Sequence, residues 1–564
     1  MPSSTKKPLA QRAIKRATAR LGYVALLIVL AFVCTAAEST NAEMDTLELL
    51  SHFATYAFMF ILGFFLTERL IVTRPGHKEP HLRAVTWKRV TLYAGIIFLC
   101  WLPILIVLYP GITFSDTSSQ LCQFFGNPPE YGAYCIQAGS AFSDHHPITD
   151  TLIMGSIVKV GMLLGSANIG FMVLVLTQSV LLSLSISRAL CHVAVWNLWH
   201  RRSVYLTIAF FSIFPAFPYM AASPVKDTIF MIAFLVFIIE YARLMRGECK
   251  GLVRPLILLA ITSLMILTKR TGLYVAILCL LGGIIFNRGT WKQLLLTLVP
   301  SIAAAGVIFP AIVFPLLNVS PGSKNEMLGF FYQQTARFVS VYPHEVADKE
   351  RQAIDSLLHY DTLAERYNPD IVDMVNHADG VEYNPSTSQV SAYIRVFLAQ
   401  LIRHPENNFI AMLSQESGWF DISQHYQVAL NYDMAVTPDN GTPNIYRPAW
   451  IRPAANSLID AINTIAELPI VGVLFIPSLY TTLIPLYCVL LGMKTKRLTS
   501  RQLSCLLPVL ASLPLLWISP VSLASVNLEA FRYTLPFLYT APFTIGFALA
   551  RPIEKKLKIR ARAV

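Results

Sequence analysis

Polar residues that can do acid–base chemistry follow directly after an apolar segment that ends near residue 109. Asp116 and Gln120 come first, and the pair His145 and His146 precedes Pro147. A carboxylate at a membrane surface can have its pKa tuned, and can then act as a base or a metal ligand. The alternatives are structural: Asp is a favoured helix cap, and the histidine pair can form the turn that begins a helix. Adjacent histidines suit one metal ion poorly, so no metal ligand is assigned.

Cationic residues recur at other junctions that end or begin apolar segments, often beside a carboxylate or an amide. The residues concerned are Lys226, Asp227, Lys269, Arg270, Gln333, Gln334, Arg337 and Arg532. Any single one of these cations could be a side chain that extends from a helix end to water. Their recurrence predicts an anion site, and a phosphate on a lipid headgroup is the natural ligand, because arginine binds phosphate in a bidentate manner.

The elements that carry these residues are membrane helices, as the composition indicates. Hydrophobic residues make up 54% of the 564 positions and charged residues 14%, with a mean hydropathy of +0.53. A spanning helix needs about 20 apolar residues. Twelve segments qualify: residues 21–37, 53–70, 90–109, 168–190, 204–222, 228–244, 252–268, 272–286, 293–317, 468–491, 503–518 and 532–550. The net charge of +12 lies in short loops and at the termini, so nucleic acid is not a predicted partner.

Charge predicts the orientation of these segments. Short cytoplasmic loops are rich in Lys and Arg. The basic clusters fall on one side only if residues 148–165, which contain Asp150 and Lys159, lie along the outer surface instead of crossing. Both termini are then cytoplasmic and residues 110–147 form an outer loop. Residues 21–37 could instead be a cleaved signal peptide, although the long basic segment before them favours a retained span.

Three regions follow from this orientation. Residues 1–318 form an N-terminal membrane domain, residues 319–467 an outer domain, and residues 468–564 a C-terminal membrane domain with a basic tail. Residues 320–467 carry 18 acidic residues against 9 Lys and Arg. This acidic balance agrees with a position outside the membrane, opposite the basic loops. Amphipathic helices are predicted at 349–359 and 391–413, with turns at 383–385 and 438–441. The fold class is therefore an all-α polytopic membrane protein with about 12 spans and one juxtamembrane helix.

Familiar soluble-enzyme motifs are missing from the sequence. It contains no phosphate loop, dinucleotide fingerprint, zinc-spaced Cys and His set or nucleophile elbow, so a Walker-type ATPase is excluded within this chain. Nine cysteines do not form a disulfide framework, and most lie in apolar segments. Cys122 and Cys135 both lie in the outer loop, where they could pair or remain two free thiols.

The order of these motifs resembles the GT-C class of polyprenyl-phosphate-dependent glycosyltransferases, in which an acidic residue follows a span and a His-Pro element leads into a juxtamembrane helix. It is closest to a poorly characterised bacterial branch near that class. The matching elements are Asp116 and Gln120, His145-His146-Pro147, Lys226-Asp227, Arg270 and Gly272, and Gln333-Gln334 with Arg337.

The resemblance implies a sugar transfer on the outer face of the bacterial cytoplasmic membrane. Asp116 and His146 are the implied catalytic residues, and the donor is a polyprenyl-phosphate-linked sugar whose leaving phosphate the cations hold. A cell-envelope glycan or lipid is the implied acceptor. Many such transferases show two neighbouring acidic residues in the first loop. Asp116 has no acidic neighbour, which speaks against a metal-bound diphosphate, while a divalent cation is left open as cofactor.

A transporter or flippase without covalent chemistry is the competing function. Twelve spans with both termini inside is also a common carrier layout. However, carriers usually have two similar halves, whereas here nine predicted spans precede the outer domain and three follow it. Carriers also place charges near the midplane, and these lie at the rim. A scaffolding protein would not need such a cationic rim.

Overall fold

The computed structural model describes residues 9–73, 84–126, 140–196, 198–249, 251–424, 429, 444–519 and 528–550. Within these ranges the chain is helical, apart from loops and one parallel pairing of two-residue strands, β1 (Phe142–Ser143) and β2 (Val319–Ser320). Cys135 and the predicted turn at 438–441 lie outside the described residues.

Three long apolar helices open the chain, at the positions predicted for the first three spans. They are α1 (Leu9–Asn41), α2 (Thr46–Thr73) and α3 (Trp87–Val107). Many of their large apolar side chains, such as Leu50, Leu66 and Leu92, are more than half exposed. A helix that is apolar on its outward face needs a lipid environment, because water disfavours such a surface.

Two short helices follow, one within the predicted outer loop and one directly after it. Each packs against a longer helix. They are α4 (Ser115–Phe124) and α5 (Ile148–Leu163). The helix predicted over 148–165 is therefore confirmed, although its position relative to a membrane stays a prediction. α5 lies backbone to backbone on the helix after it: a Cβ on Gly161 would lie 2.0 Å from the Cα of Gly170.

The next helices form the centre of the molecule. They are α6 (Ala167–Val195), α7 (Arg201–Ile213), α8 (Ala216–Ala221), α9 (Lys226–Met245), α10 (Val253–Thr268), α11 (Thr271–Phe286), α12 (Trp291–Ala303) and α13 (Phe309–Leu317). A π turn at Ala304–Ile308 joins α12 to α13. The single helix predicted over 204–222 is wrong. It breaks at Phe214, whose backbone is extended because Pro215 follows.

The polar region between β2 and residue 424 has a hydrophobic core of its own. Its helices are α14 (Asn325–Val341), α15 (Asp348–Leu358), α16 (Tyr360–Arg366), α17 (Asp373–Asn376), α18 (Thr387–Arg403) and α19 (Pro405–Gln415). Tyr332, Leu357 and Tyr393 are fully buried in that core. The helix predicted over 349–359 is confirmed, and the one over 391–413 is two helices, since Pro405 starts a new one.

Four helices complete the described chain: α20 (Arg452–Ala466), α21 (Ile484–Lys494), α22 (Ser500–Trp517) and α23 (Leu535–Leu549). The helix predicted over 468–491 is wrong in its first half. There Pro477 interrupts the chain after a 3₁₀ turn at Gly472–Phe475, and α21 is reached through a π turn at Leu479–Leu483. A second 3₁₀ segment, Leu528–Thr534, precedes α23 and carries Arg532.

Six helical stretches of the described chain are long and apolar enough to cross a bilayer. They are Arg20–Asn41, Thr46–Val72, Trp87–Val107, Ala167–Val195, Lys226–Met245 and Arg288–Leu317. Three shorter apolar stretches accompany them, at Val253–Thr268, Thr271–Phe286 and Leu479–Lys494. The molecule is therefore an all-α membrane protein, and the predicted count of twelve spans is not established by these lengths.

Candidate active site

One oxygen of Asp116 is the meeting point of three basic side chains. Its Oδ2 lies 2.9 Å from Lys226 Nζ, 3.0 Å from Arg532 Nη2 and 3.8 Å from His146 Nδ1. Asp116 stands in the first turn of α4, whose N-cap is Phe114. The alternative that Asp116 caps this helix is therefore wrong, and its carboxylate is instead held by ion pairs.

A second carboxylate extends the same group of charges. Asp227, next to Lys226 at the start of α9, forms an ion pair with Lys269, and its Oδ2 lies 3.6 Å from Arg532 Nε. The six residues Asp116, His146, Lys226, Asp227, Lys269 and Arg532 are called the buried charge cluster below. They come from α4, the turn before α5, the start of α9, the end of α10 and the turn before α23.

Burial governs the electrostatics of the buried charge cluster. Asp116 is 4% exposed, Asp227 1% and Arg532 6%. Burial alone would raise the pKa of Asp116, but the charges of Arg532 and Lys226 outweigh it and hold that pKa well below its usual range. Asp116 is therefore ionised.

His146 is neutral in these surroundings. Burial, together with the charge of Lys226, lowers the pKa of His146 well below its usual range. Its Nδ1 lies 3.0 Å from Lys226 Nζ, so the neutral ring accepts a hydrogen bond from the ammonium group. Its neighbour His145 lies ring to ring with it at 4.6 Å, and burial is the main cause that lowers the pKa of His145 to about 4.

Aromatic rings cover the cations of the buried charge cluster. The guanidinium of Arg532 lies 5.6 Å from the ring centre of Phe114 and 5.2 Å from that of Tyr533. Lys269 Nζ lies 4.6 Å from the ring centre of Tyr533. Such contacts are favourable when the cation has lost its water, so the rings help these charges to stay buried.

Three cations face two carboxylates in the buried charge cluster, which leaves one positive charge in excess. A further acid that interacts with Lys226 is Asp150, in the first turn of α5. Asp150 is 0% exposed, and neither of its oxygens has a hydrogen-bond partner among the described residues. Burial raises the pKa of Asp150 well above its usual range even though Lys226 opposes the shift. The charged form of Asp150 is therefore disfavoured, which makes it a poor counter-ion for the excess charge.

Arg270 lies beside the buried charge cluster and is paired with a different carboxylate, Asp144. Its Nη2 donates to Asp144 at 2.8 Å and also to the Asp144 backbone carbonyl. Gly322 makes room for this contact, because a Cβ there would lie 2.8 Å from that carbonyl oxygen. Arg270 thus fixes the turn that holds His145 and His146, and it reaches the site through that turn.

The remaining predicted residues are held by other partners. Gln120 donates to Thr151 at 3.1 Å and joins α4 to α5. Arg337 donates to Asn407 at 2.7 Å. The side chain of Gln333 donates to the Asn368 carbonyl, and Gln334 accepts at its backbone from Asn407. The structure thus gathers Lys226 and Arg532 at Asp116, while the contacts of Arg337 tie it to α19.

No three carboxylate, imidazole or thiol groups stand close enough to hold a metal ion in the described part of the chain. The protein groups present suit an anion better than a cation, because ammonium and guanidinium donors predominate.

Sequence reasoning missed a polar group at the other end of α9. Glu240 is fully buried, and Arg188, Arg243 and Arg254 surround it. A single acid inside an apolar run was the signal that pointed to it. A cavity of about 840 Å³ lies beside these arginines, not at the buried charge cluster.

The chain belongs to a family of unknown function, DUF6020, whose model matches residues 134–560. The match includes every residue of the buried charge cluster except Asp116, and it includes the arginines around Glu240. No curated protein and no solved structure matches the chain.

Proposed function

We propose that this member of the DUF6020 family is a membrane glycosyltransferase that moves a sugar from a polyprenyl-phosphate donor to an acceptor glycan or lipid. One observation carries the proposal. Lys226 and Arg532 are paired with Asp116 and Lys269 with Asp227, which leaves one positive charge in excess in the buried charge cluster. A phosphate group supplies the matching negative charge and accepts hydrogen bonds from all three side chains.

The cost of burying these charges supports a functional reading. Removing ions from water is expensive, and well-packed apolar residues of similar volume often give equal or greater stability than a buried ion pair. A cluster of five charges that is almost fully enclosed is therefore not needed for folding. It is retained, on this proposal, for binding and chemistry.

The proposed reaction forms one bond and breaks another at the anomeric carbon of the donor sugar. The acceptor hydroxyl oxygen attacks that carbon, and the bond from the carbon to the phosphate oxygen breaks. The proton of the hydroxyl passes to Asp116, and polyprenyl phosphate leaves with the electron pair. Lys226 and Arg532 stabilise the charge that develops on the leaving phosphate.

Donor binding has a consequence for the basicity of Asp116. In the structure its carboxylate is stabilised by Lys226 and Arg532, which makes it a weak base. When those two cations turn to a phosphate, their charge is shared with it, and the pKa of Asp116 rises. Asp116 therefore becomes a usable base only once the donor is bound. His146, which accepts from Lys226, positions that ammonium group.

The proposal includes an orientation. The buried charge cluster lies on the outer side of a bacterial cytoplasmic membrane, both termini lie inside, and the acidic region before residue 467 binds the acceptor. A cysteine at the exposed position Leu164, after α5, then reacts with an impermeant thiol reagent in intact cells. A cysteine at the exposed position Leu252, before α10, reacts only after permeabilisation. The reverse pattern would contradict the orientation.

The direct test uses purified full-length protein and a panel of polyprenyl-phosphate sugars with lipid and glycan acceptors. Release of free polyprenyl phosphate, followed by chromatography or mass spectrometry, is the expected result for one donor. The assay is repeated with a chelator and with added divalent ions. The side chains of the buried charge cluster are compatible with both a metal-dependent and a metal-independent reaction.

Transport of a lipid-linked or anionic substrate is the second candidate. The observation that favours it is the presence of cationic groups at both ends of α9, beside Asp116 and beside Glu240. Transport moves the phosphate-bearing lipid between leaflets with its sugar still attached. Reconstituted vesicles that flip the labelled donor without releasing polyprenyl phosphate would select this candidate.

A further inference from the structure

The cavity of about 840 Å³ lies at the C-terminal end of α9. Lys226, in the buried charge cluster, and Arg243, which lines the cavity, are separated by about 25 Å along the helix at 1.5 Å per residue. The volume of the cavity falls within the range of about 300–1,000 Å³ that is typical of ligand sites. The cavity is therefore a second place of ligand size, well removed from Asp116.

Three arginines surround one carboxylate at the wall of this cavity, and only one of them is tightly bound. Arg188 forms a close ion pair with Oε1 of Glu240. Arg243 Nη1 lies 3.7 Å from that oxygen and Arg254 Nη1 lies 3.5 Å from it, distances too long for a good hydrogen bond. Nε of Arg243 is buried without a hydrogen-bond partner among the described residues. These two guanidinium groups retain donors for a further acceptor.

The charge around the cavity is unbalanced. Arg246 forms an ion pair with Glu248 at 2.8 Å and lies over the ring of Trp196. With Glu240 and its three arginines, this makes four arginines against two glutamates. Two uncompensated positive charges beside a partly enclosed cavity are unfavourable unless an anion joins them.

The rest of the cavity wall is apolar apart from Ser185, His192 and Glu248. It is formed by side chains of α3, α6, α9 and α10, among them Trp87, Leu184, Ile232, Val236 and Ile257. Trp87 lines the edge of the cavity and is largely exposed, as tryptophan often is at a membrane interface. A ligand that fits both parts of the wall has an anionic head and an apolar chain.

We propose that this arginine cavity, defined by Arg188, Arg243, Arg254 and Glu240, binds an anionic lipid, with a phosphate group at Arg243 and Arg254 and the chain along Val236. Lipid phosphate and inorganic phosphate share the same head chemistry. The apolar wall favours the lipid. The site is separate from the buried charge cluster and does not depend on the transfer reaction.

The test is native mass spectrometry of the full-length protein after incubation with dioleoyl phosphatidic acid in a mild detergent. We expect the wild-type protein to retain one lipid. The double variant Arg243→Gln and Arg254→Gln should bind it at least about tenfold more weakly, because each charged hydrogen bond contributes that much. Arg188 is left in place so that Glu240 keeps its partner.

Two further variants test the contribution of the lipid chain and control for a general effect of lost charge. Val236→Trp fills the apolar wall and should abolish lipid binding while leaving the arginines intact. The matched control removes the same charge from exposed positions at the start of α7, Arg201→Gln with Arg202→Gln, and should bind like the wild type. Each variant is first checked for wild-type size and thermal unfolding.

Unchanged lipid binding in the folded double variant would overturn the proposal. Binding of inorganic phosphate, measured by calorimetry, in a protein that retains no lipid would overturn the lipid assignment. Equal losses in the double variant and in the α7 control would show a general charge effect, and would overturn it as well.

Discussion

The two ends of α9 use the same side-chain chemistry in opposite ways. At the N-terminal end, Lys226 and Asp227 belong to a buried charge cluster, where they form close ion pairs with Asp116 and Lys269. At the C-terminal end, Arg243 lies 3.7 Å from Glu240, beside a cavity of about 840 Å³. The cations at one end are taken up by close ion pairs, and at the other end a cavity of ligand size lies beside them.

The difference shows what each end needs in order to bind an anion. At the arginine cavity, Arg243 and Arg254 lie 3.7 and 3.5 Å from Glu240, so a phosphate need not displace a close ion pair of either side chain. On the proposed mechanism, the buried charge cluster exchanges partners, because Lys226 and Arg532 leave Asp116 as the phosphate binds. Binding at the arginine cavity would then be a matter of affinity alone, whereas binding at the buried charge cluster would also change the pKa of a carboxylate, as the proposed reaction requires.

The largest difference between the two ends of α9 is expected from Arg532→Gln. This change removes a cation from Asp116 and Asp227, and should weaken binding of a polyprenyl-phosphate sugar by about tenfold or more. Lipid retention at the arginine cavity should not change. Binding is measured by titration of the labelled donor, and retention by native mass spectrometry.

The matched control for that variant is Arg337→Gln. Its guanidinium contacts Asn407 in α19, so donor binding should stay close to that of the wild type. Equal losses in the two variants would mean that Arg337 shares the anion site. A loss of lipid retention in Arg532→Gln would mean that the two ends are not independent.

A smaller effect is expected from Asp150→Asn, which tests the proton on Asp150. Asp144, Lys226, Asp227 and Lys269 are the charged groups that act on it, and its pKa is raised from an ordinary value of 3.8. The folded protein then holds a proton that the unfolded chain releases. The free energy of unfolding of the wild type therefore falls as pH rises above 3.8, until the pH passes the raised pKa.

Asparagine removes this pH dependence, so the variant should gain stability relative to the wild type as the pH rises from 3.8 toward the raised pKa, by at most about 1.4 kcal/mol per pH unit. Unfolding midpoints at several pH values measure the trend. A variant that is less stable than the wild type by the same amount at every pH would show that Asp150 is ionised and paired.

Much of the fold was predictable, because a run of apolar residues that is long enough to cross a bilayer is visible in sequence. The errors fall at prolines. Pro215, Pro405 and Pro477 each follow a residue that leaves helical geometry, and each splits a segment predicted to be continuous. Hydropathy averaged over a window does not register such a break.

The candidate site was predictable in part. The recurrence of cations at segment ends pointed to Lys226, Lys269 and Arg532, and the structure brings Lys226 and Arg532 to Asp116 and Lys269 to Asp227. Distance along a helix explains the placement of Arg337. Glu326, at the start of α14, acts electrostatically on His145, and Arg337 lies about 16 Å farther along that helix at 1.5 Å per residue.

The arginine cavity was missed for a different reason. Arg243 lies three residues after Glu240 on α9, a spacing that is visible in the sequence, whereas Arg188 and Arg254 lie on other helices. Only tertiary packing brings those two guanidinium groups to Glu240. Glu240 itself, a lone acid in an apolar helix, was the residue to follow.

The most direct test of the central claim is release of polyprenyl phosphate by purified wild-type protein, by Asp116→Asn and by the control Asp379→Asn, an exposed acid. We expect release by the wild type and the control. The Asp116→Asn protein should be slower by about 10²–10⁴-fold, as for loss of a positioned acid–base group, while it still binds the donor. Wild-type turnover in Asp116→Asn, or no release by the wild type from any donor, would contradict the account.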